Sequence, residues 1–578
     1  MSSTFTQAGG TFNAGDTLID NNGTGATTIS GGTFNLQSAT LESTRAITVS
    51  GATTSTFFDG GTGNITLVDI TYGDLFINGG DFTFPNGNVT IKDDLTISVN
   101  AIVNENNTTL TYSSSNAVAT IDIPSTFTFT NLIVSSTANT YGIVISPGDT
   151  FIVSSTLTLV NGIIGGTGVL EFTGPESGLT LESTWDGGSG TLKISGDDIR
   201  DFTFDATTKF PGIYLNAPNT TIDFLGTAST TIGGGLTIDA GEFNVSSTDI
   251  ILNSGTYGSI TQTGGIFNGQ NTGLISVARS FFLSGGTFNA GTNSGSLNID
   301  GNYTNTITGG TFNLQTATAN VDYPLTVSNG IFDGGTGNLT FVIGWADLTI
   351  SGGTFTFPSG TTTIKNNLTI GAGATIYYNN ATLVHNRTYG VSGYGYWNIS
   401  GTSTIANLVI NNLGPNYLVT YIQTGAIVVS STLTLTDGYL TGASGTSLEF
   451  SGDNINIAST WDGLNIPTFR LTGNNNQIID ITGIESSINS DVIINKASGT
   501  VTLNSGLTLD AASQDLTITD GVLDLNGNNL LIVGVFSNND TLRLQGSETL
   551  SFTNDTDSGT IEFIGNADSL SDTYIIPN

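Results

Sequence analysis

The chain of 578 residues contains no cysteine, one histidine, one methionine, four tryptophans, and only 11 lysines and arginines. Without cysteine there are no disulfide frameworks, thiolate-bound zinc, iron–sulfur clusters or thiol nucleophiles. A single imidazole, His385 in LVHNRTYG, excludes a histidine-rich metal cluster. Against the few basic residues stand 46 acidic ones, a formal charge of −35 that repels phosphate backbones and anionic lipid. No nucleic-acid partner is therefore expected. Nor does a run of about 18 apolar residues occur, and the longest apolar stretches, such as Leu530-Leu531-Ile532-Val533, are strand-sized, so no membrane insertion is expected. The first residues, MSSTFTQAGGTFNAG, are neither basic nor apolar enough for a signal peptide as written.

What the chain does have is 77 glycines, 31 phenylalanines and a repeated phrase. An apolar residue, Thr or Ser, a second apolar residue, a glycine-bearing corner and then a bulky apolar residue recur as TISGGTFNL ending at Leu36, LFINGGDFTF ending at Phe84, TITGGTFNL ending at Leu314, LTVSNGIFDGG ending at Gly335 and LTISGGTFTF ending at Phe357. Marker phenylalanines are spaced by 22 residues from Phe12 to Phe34, 24 from Phe58 to Phe82, 21 from Phe267 to Phe288, 24 from Phe288 to Phe312 and 23 from Phe332 to Phe355. A period of this size signals a solenoid.

Alternation at period two, as in Leu348-Thr349-Ile350, marks strands, and frequent glycine with β-branched residues excludes helices. Each period reads as strand, corner, strand, loop. One unit cannot bury its apolar face, whereas stacked copies can. The expected fold is all-β: a parallel β-helix (β-solenoid) of about 20–24 residues per coil and roughly 26 coils. Phe12, Phe34, Phe58, Phe82, Phe267, Phe288, Phe312, Phe332 and Phe355 are the expected core ladder.

The short repeat is nested in a longer one. GGTFNAG at Gly9–Gly15 returns at Gly285–Gly291, FDGGTGN at Phe58–Asn64 returns at Phe332–Asn338, and STWDG from Ser183 returns from Ser459. Two tandemly duplicated halves follow, residues 1–275 and 276–555, with a C-terminal strand, cap or assembly tail at 556–578.

Comparing the halves also filters candidate sites. Asp93-Asp94 follows Lys92, but Asn366-Asn367 follows Lys365; Asp197-Asp198 corresponds to Asn474-Asn475. Acid–base chemistry needs the ionisable group, so these pairs read first as polar turn residues and second as a metal or catalytic site. The segments GGTGNITLV and GGTGNLTFV place Ile65 and Leu339 where a calcium nonapeptide needs Asp. No cofactor is expected, and calcium on surface carboxylates stays open without an identifiable site. Basic residues are scattered rather than gathered with acids in a groove, so no enzyme is expected. An aromatic cluster at Tyr394, Tyr396 and Trp397 is a candidate sugar-stacking patch. Thr-x-Thr pairs such as Thr126-Phe127-Thr128 suit ice binding, though drifting coil length argues against a regular lattice.

The GGTFN and LTLxxG phrases and the doubling resemble repetitive bacterial surface proteins with parallel β-helix shafts, such as filamentous-haemagglutinin-like adhesins and autotransporter passengers. The resemblance implies an extracellular or cell-surface protein used in adhesion, matrix or filament formation. The leading expectation is a structural subunit that associates head to tail with itself, through candidate assembly ends at Phe5, Phe563, Tyr574, Ile575 and Ile576. The alternative is an adhesin or carbohydrate-binding shaft contacting glycans or a cell surface, with a carbohydrate-active enzyme or an ice-binding protein behind it.

Overall fold

The structure is a computed structural model. It describes the chain apart from residues 1–3, 70, 115–117, 139, 183, 196–199, 206–208, 226–228, 246–248, 253–257, 270–272, 293–295, 302, 388–392, 414–418, 482–487, 554–557, 567–571, 573 and 576–578. Strands make up 61% of it and no α-helix occurs among the described residues, so the chain is a β-solenoid, wound in about 23 turns of parallel strands. It divides into two compact units, Met1–Gly295 and Ser296–Asn578.

Each coil of the first unit has three faces rather than the two strands expected per period. Thr27–Ile29, Ile47–Val49, Leu75–Ile77 and Leu95–Ile97 stack as the first face. Thr33–Asn35, Phe57–Asp59, Asp81–Thr83 and Ile102–Asn104 form the second. The third lies where the repeat reads as a loop: Ile19–Asn21, Thr40–Ser43, Asn64–Leu67, Asn88–Ile91 and Thr109–Tyr112. These four-residue strands carry neither glycine corner nor phenylalanine marker. Their alternating half-buried and buried residues, as in Asn64–Leu67, identify them as strands with one wet face. The second unit repeats the scheme, with Asn305–Ile307 under Leu325–Val327, Thr311–Asn313 under Ile331–Asp333, and Ser296–Ile299 under Thr318–Val321.

Stacking in register puts like on like. Phe34, Phe58 and Phe82 lie parallel at 5.2 and 4.5 Å, and Phe312, Phe332 and Phe355 at 5.0 and 4.4 Å. Phe267 and Phe288 stack at 4.4 Å, and Phe12 lies 5.0 Å from Phe34. All of these except the half-buried Phe12 are buried. Burying each ring stabilises a unit by about 2–3 kcal/mol, before the contribution of ring geometry. Asparagines make a second kind of stack outside: the Asn35 amide donates to Asn13 at 2.7 Å, Asn289 to Asn268 at 2.6 Å and Asn320 to Asn298 at 2.9 Å.

The corner between the first two faces requires glycine. Gly32 has φ +77, and a Cβ there would stand 2.1 Å from the carbonyl oxygen of Gly10 in the coil beside it. Its counterpart Gly353 has φ +72 and would meet the Gly330 carbonyl at 2.3 Å. Only a residue without a side chain permits both the left-handed backbone and that approach.

With 578 residues in about 23 turns, the mean is roughly 25 per turn, above the 20–24 expected. The excess sits in particular corners. From the third face to the first, the chain needs three residues at 44–46 and again at 92–94, but seven at 68–74.

Candidate functional site

The long corner overhangs the next short one. The backbone N–H of Asp94 donates to Asp74 Oδ1 at 3.1 Å, and that of Asp93 to the Gly73 carbonyl at 3.3 Å. A Cβ on Gly73 would lie 2.3 Å from the Asp69 carbonyl oxygen, so the fit is tight. In this way the pair Asp93-Asp94 acquires Asp74, and one carboxylate oxygen from each of the three lies within 4.8 Å of the other two. Partial burial, then the neighbouring charges of Asp74, Asp94 and Asp69, push the Asp93 carboxyl up to about 6. Asp197 and Asp198 lie outside the described residues, and Asn475, in the corresponding pair, donates to Asp453 at 2.8 Å.

His385 is fully buried. Its Nε2 donates to the Asn366 carbonyl at 3.0 Å, and its Nδ1 accepts from Thr420 Oγ1 at 2.5 Å. The Thr420 hydroxyl in turn accepts from the Asn412 amide at 3.0 Å. Burial pushes the imidazole down to about 3, with Arg387 adding to the shift, so the ring is neutral. Both nitrogens are engaged and neither reaches solvent, an arrangement of a structural histidine rather than of a general base.

The aromatic cluster differs from expectation in its membership. Trp397 is fully buried under the coil and cannot stack on a sugar. Tyr421, one coil on, takes its place: Tyr394, Tyr396 and Tyr421 lie 5.5 to 5.8 Å apart in mostly edge-on contacts. Tyr394 and Tyr396 are exposed. The backbone N–H of Tyr396 is held by Asn367 Oδ1 at 2.8 Å. No family model, curated protein or solved structure matches this chain. The site must be read from its own geometry.

The strand carrying these tyrosines, Tyr394–Asn411, also borders a groove of about 850 Å³, lined by Tyr377, Asn379, Ser400, Thr402 and Thr404 among others. Here the inward ladder ends: Phe355 is followed in register by Ile376, which is only half buried. The first unit has the same step, from Phe82 to the half-buried Val103.

Of the candidate assembly ends, Phe5 packs edge-on against Phe12 and Phe34 at 5.5 and 6.0 Å and is half buried. Tyr574 folds back on Phe563 at 4.3 Å, its hydroxyl accepting from the Gly565 N–H and donating to the Gln545 carbonyl. Phe563 and Ile575 remain exposed, and Ile576 lies outside the described residues. Among the described residues, strand Phe5–Asn13 pairs only with Thr27–Asn35, and Thr560–Phe563 only with Thr541–Leu544.

The outward threonines form ranks of limited length. Thr306, Thr326, Thr349 and Thr369 follow one another, whereas Thr28 and Thr48 are followed by Phe76.

Proposed function

We propose that this chain is a non-enzymatic structural β-solenoid, a subunit of an extracellular or cell-surface filament, appendage or matrix that associates with copies of itself. The observation that carries the reading is the pair of strands with one free edge, Phe5–Asn13 and Thr560–Phe563, the latter beside exposed Phe563 and Ile564. A free edge of backbone donors and acceptors is a template for another strand, and parallel coils of the same fold supply a matching one. The surface supports the same reading: outward ranks of Thr, Asn and Ser dominate, and the sole imidazole is buried and hydrogen-bonded. Its repeat style, like that of filamentous-haemagglutinin-like adhesins, supports the extracellular part.

The test is sedimentation over a concentration series with negative-stain microscopy. Native protein is expected to form assemblies, and Phe563→Lys to reduce them. A monodisperse monomer at high concentration, with both edge strands protected from amide exchange, would rule the reading out.

A second reading, a carbohydrate-binding surface, is favoured by the Tyr394, Tyr396 and Tyr421 cluster on the strand that borders the open groove. Flat exposed rings with hydroxyl-rich surroundings suit sugar faces. Glycan-array binding that disappears in Tyr396→Ala is its expected outcome; no binding by the native chain removes it.

A further inference from the structure

The duplication supplies an internal comparison for the acidic corner. Asp347 occupies in the second unit the place that Asp74 holds in the first, and the backbone bond is the same: Asn367 N–H to Asp347 Oδ1 at 3.1 Å, as Asp94 N–H to Asp74 Oδ1. In the second unit the Asn366 amide also donates to Asp347, at 2.7 Å. In the first unit that donor is replaced by Asp93, which accepts no hydrogen bond among the described residues and adds a third carboxylate. Three such groups repel one another unless a cation lies between them.

The nearby cations are turned elsewhere. Arg45 lies 4.0 Å over the ring of Tyr72, and Lys92 donates to Ser113 Oγ at 3.3 Å. Neither forms an ion pair among the described residues.

An independent feature points to the same place. Tyr112 is fully buried on the third face, its hydroxyl has no hydrogen-bond partner, and Asp94 acts on it electrostatically. The residue at the corresponding position of the second unit is His385, whose ring reaches the carbonyl of Asn366, the counterpart of Asp93. A side chain at this position is thus directed at the corner, and in the first unit it brings an unpartnered oxygen there. Buried hydroxyls are rarely left so.

We propose that Asp74, Asp93 and Asp94 bind a hard divalent cation, calcium above all, with the Tyr112 hydroxyl facing the site from the interior. Carboxylate oxygens held at about 2.4 Å from one ion lie no more than roughly 4.8 Å apart, the spread found here. The ligand set is all oxygen, which selects calcium or magnesium over softer metals. The ion ties the long corner at 68–74 to the short one at 92–94, so its binding is a clasp between successive coils, independent of the chain's partners.

The experiment is calorimetric titration of calcium chloride into the full chain at 0.15 M potassium chloride, beside Asp93→Asn. That variant copies the arrangement already folded in the second unit. Saturable binding that weakens at least tenfold in Asp93→Asn, with unchanged circular dichroism, is the expected result. In the native chain alone, calcium must also slow amide exchange at residues 68–74 and 92–94. No saturable binding by the native chain, equal affinity in the variant, or unaltered exchange at these corners would each overturn the proposal.

Discussion

Phe58 lies flat over Phe82, with ring centroids 4.5 Å apart and planes 8° from parallel. The contact spans 24 residues of sequence and one step of the solenoid. Phe82 also meets Phe84 edge-on at 4.8 Å, so it sits within a continuous column of rings. Phe82→Ala is expected to cost about 3–5 kcal/mol through the cavity it leaves. Because coils touch only their neighbours, the loss should be local. Hydrogen exchange should show deprotection at Thr56–Asp59 and Ile102–Asn104 before any change near Thr150–Gly166.

Gly395 packs on the buried polar network. A Cβ there would stand 2.5 Å from His385 Cε1 and 3.0 Å from Arg387 Cδ. Both rings of contact are enclosed, so neither neighbour has room to withdraw. Gly395→Ala is expected to destabilise by about 1–3 kcal/mol, the usual range for overpacking, and to lower the melting temperature.

His385 couples stability to pH. Its imidazole titrates at about 3 in the folded state against 6.5 unfolded, so between these values the unfolded chain binds a proton that the native one does not. Stability therefore falls as pH drops below about 6.5, by on the order of 2 kcal/mol between pH 7 and pH 5. Arg387 is the charge that faces it. With one histidine in the chain, a single imidazole signal should stay in the neutral Nε2–H form at pH 5 in nitrogen-resolved spectra, and His385→Gln should flatten the stability profile across this window.

A net charge of −35 opposes contact between like chains. Raising ionic strength from 0.01 to 0.15 M shortens the screening length from about 30 to 8 Å. Light scattering at fixed protein concentration is expected to rise over that range if self-association is the function; scattering that stays flat contradicts it.

The strand faces were legible because each unit repeats the same physical requirement. The Phe and Ile positions alternate with Thr, and glycine stands where the backbone turns left-handed, as at Gly32. The third face was not legible in the same way. Thr40–Ser43 and Asn88–Ile91 have neither marker, and four alternating residues look like a polar loop until another strand lies beside them. The acidic corner was half legible: Asp93-Asp94 is visible as a pair, but Asp74 precedes it by 19 residues and joins it only through the winding of the chain. A signal did exist in the seven-residue corner between Asn64–Leu67 and Leu75–Ile77, where its neighbours have three. The tyrosine patch shows the opposite failure. Trp397 neighbours Tyr396 in sequence, yet alternation along a strand turns it inward, while Tyr421 arrives from the next coil.

The sequence by itself determined the solenoid, its period, its internal doubling and the absence of thiol or histidine-cluster chemistry, because these depend on residue types recurring at fixed intervals. Only the tertiary structure decided which residues from different coils meet: Asp74 with Asp93, Tyr421 with Tyr394, His385 with Thr420. Such meetings depend on how many residues each corner consumes, and a corner's length sets which side chains fall in register one turn later.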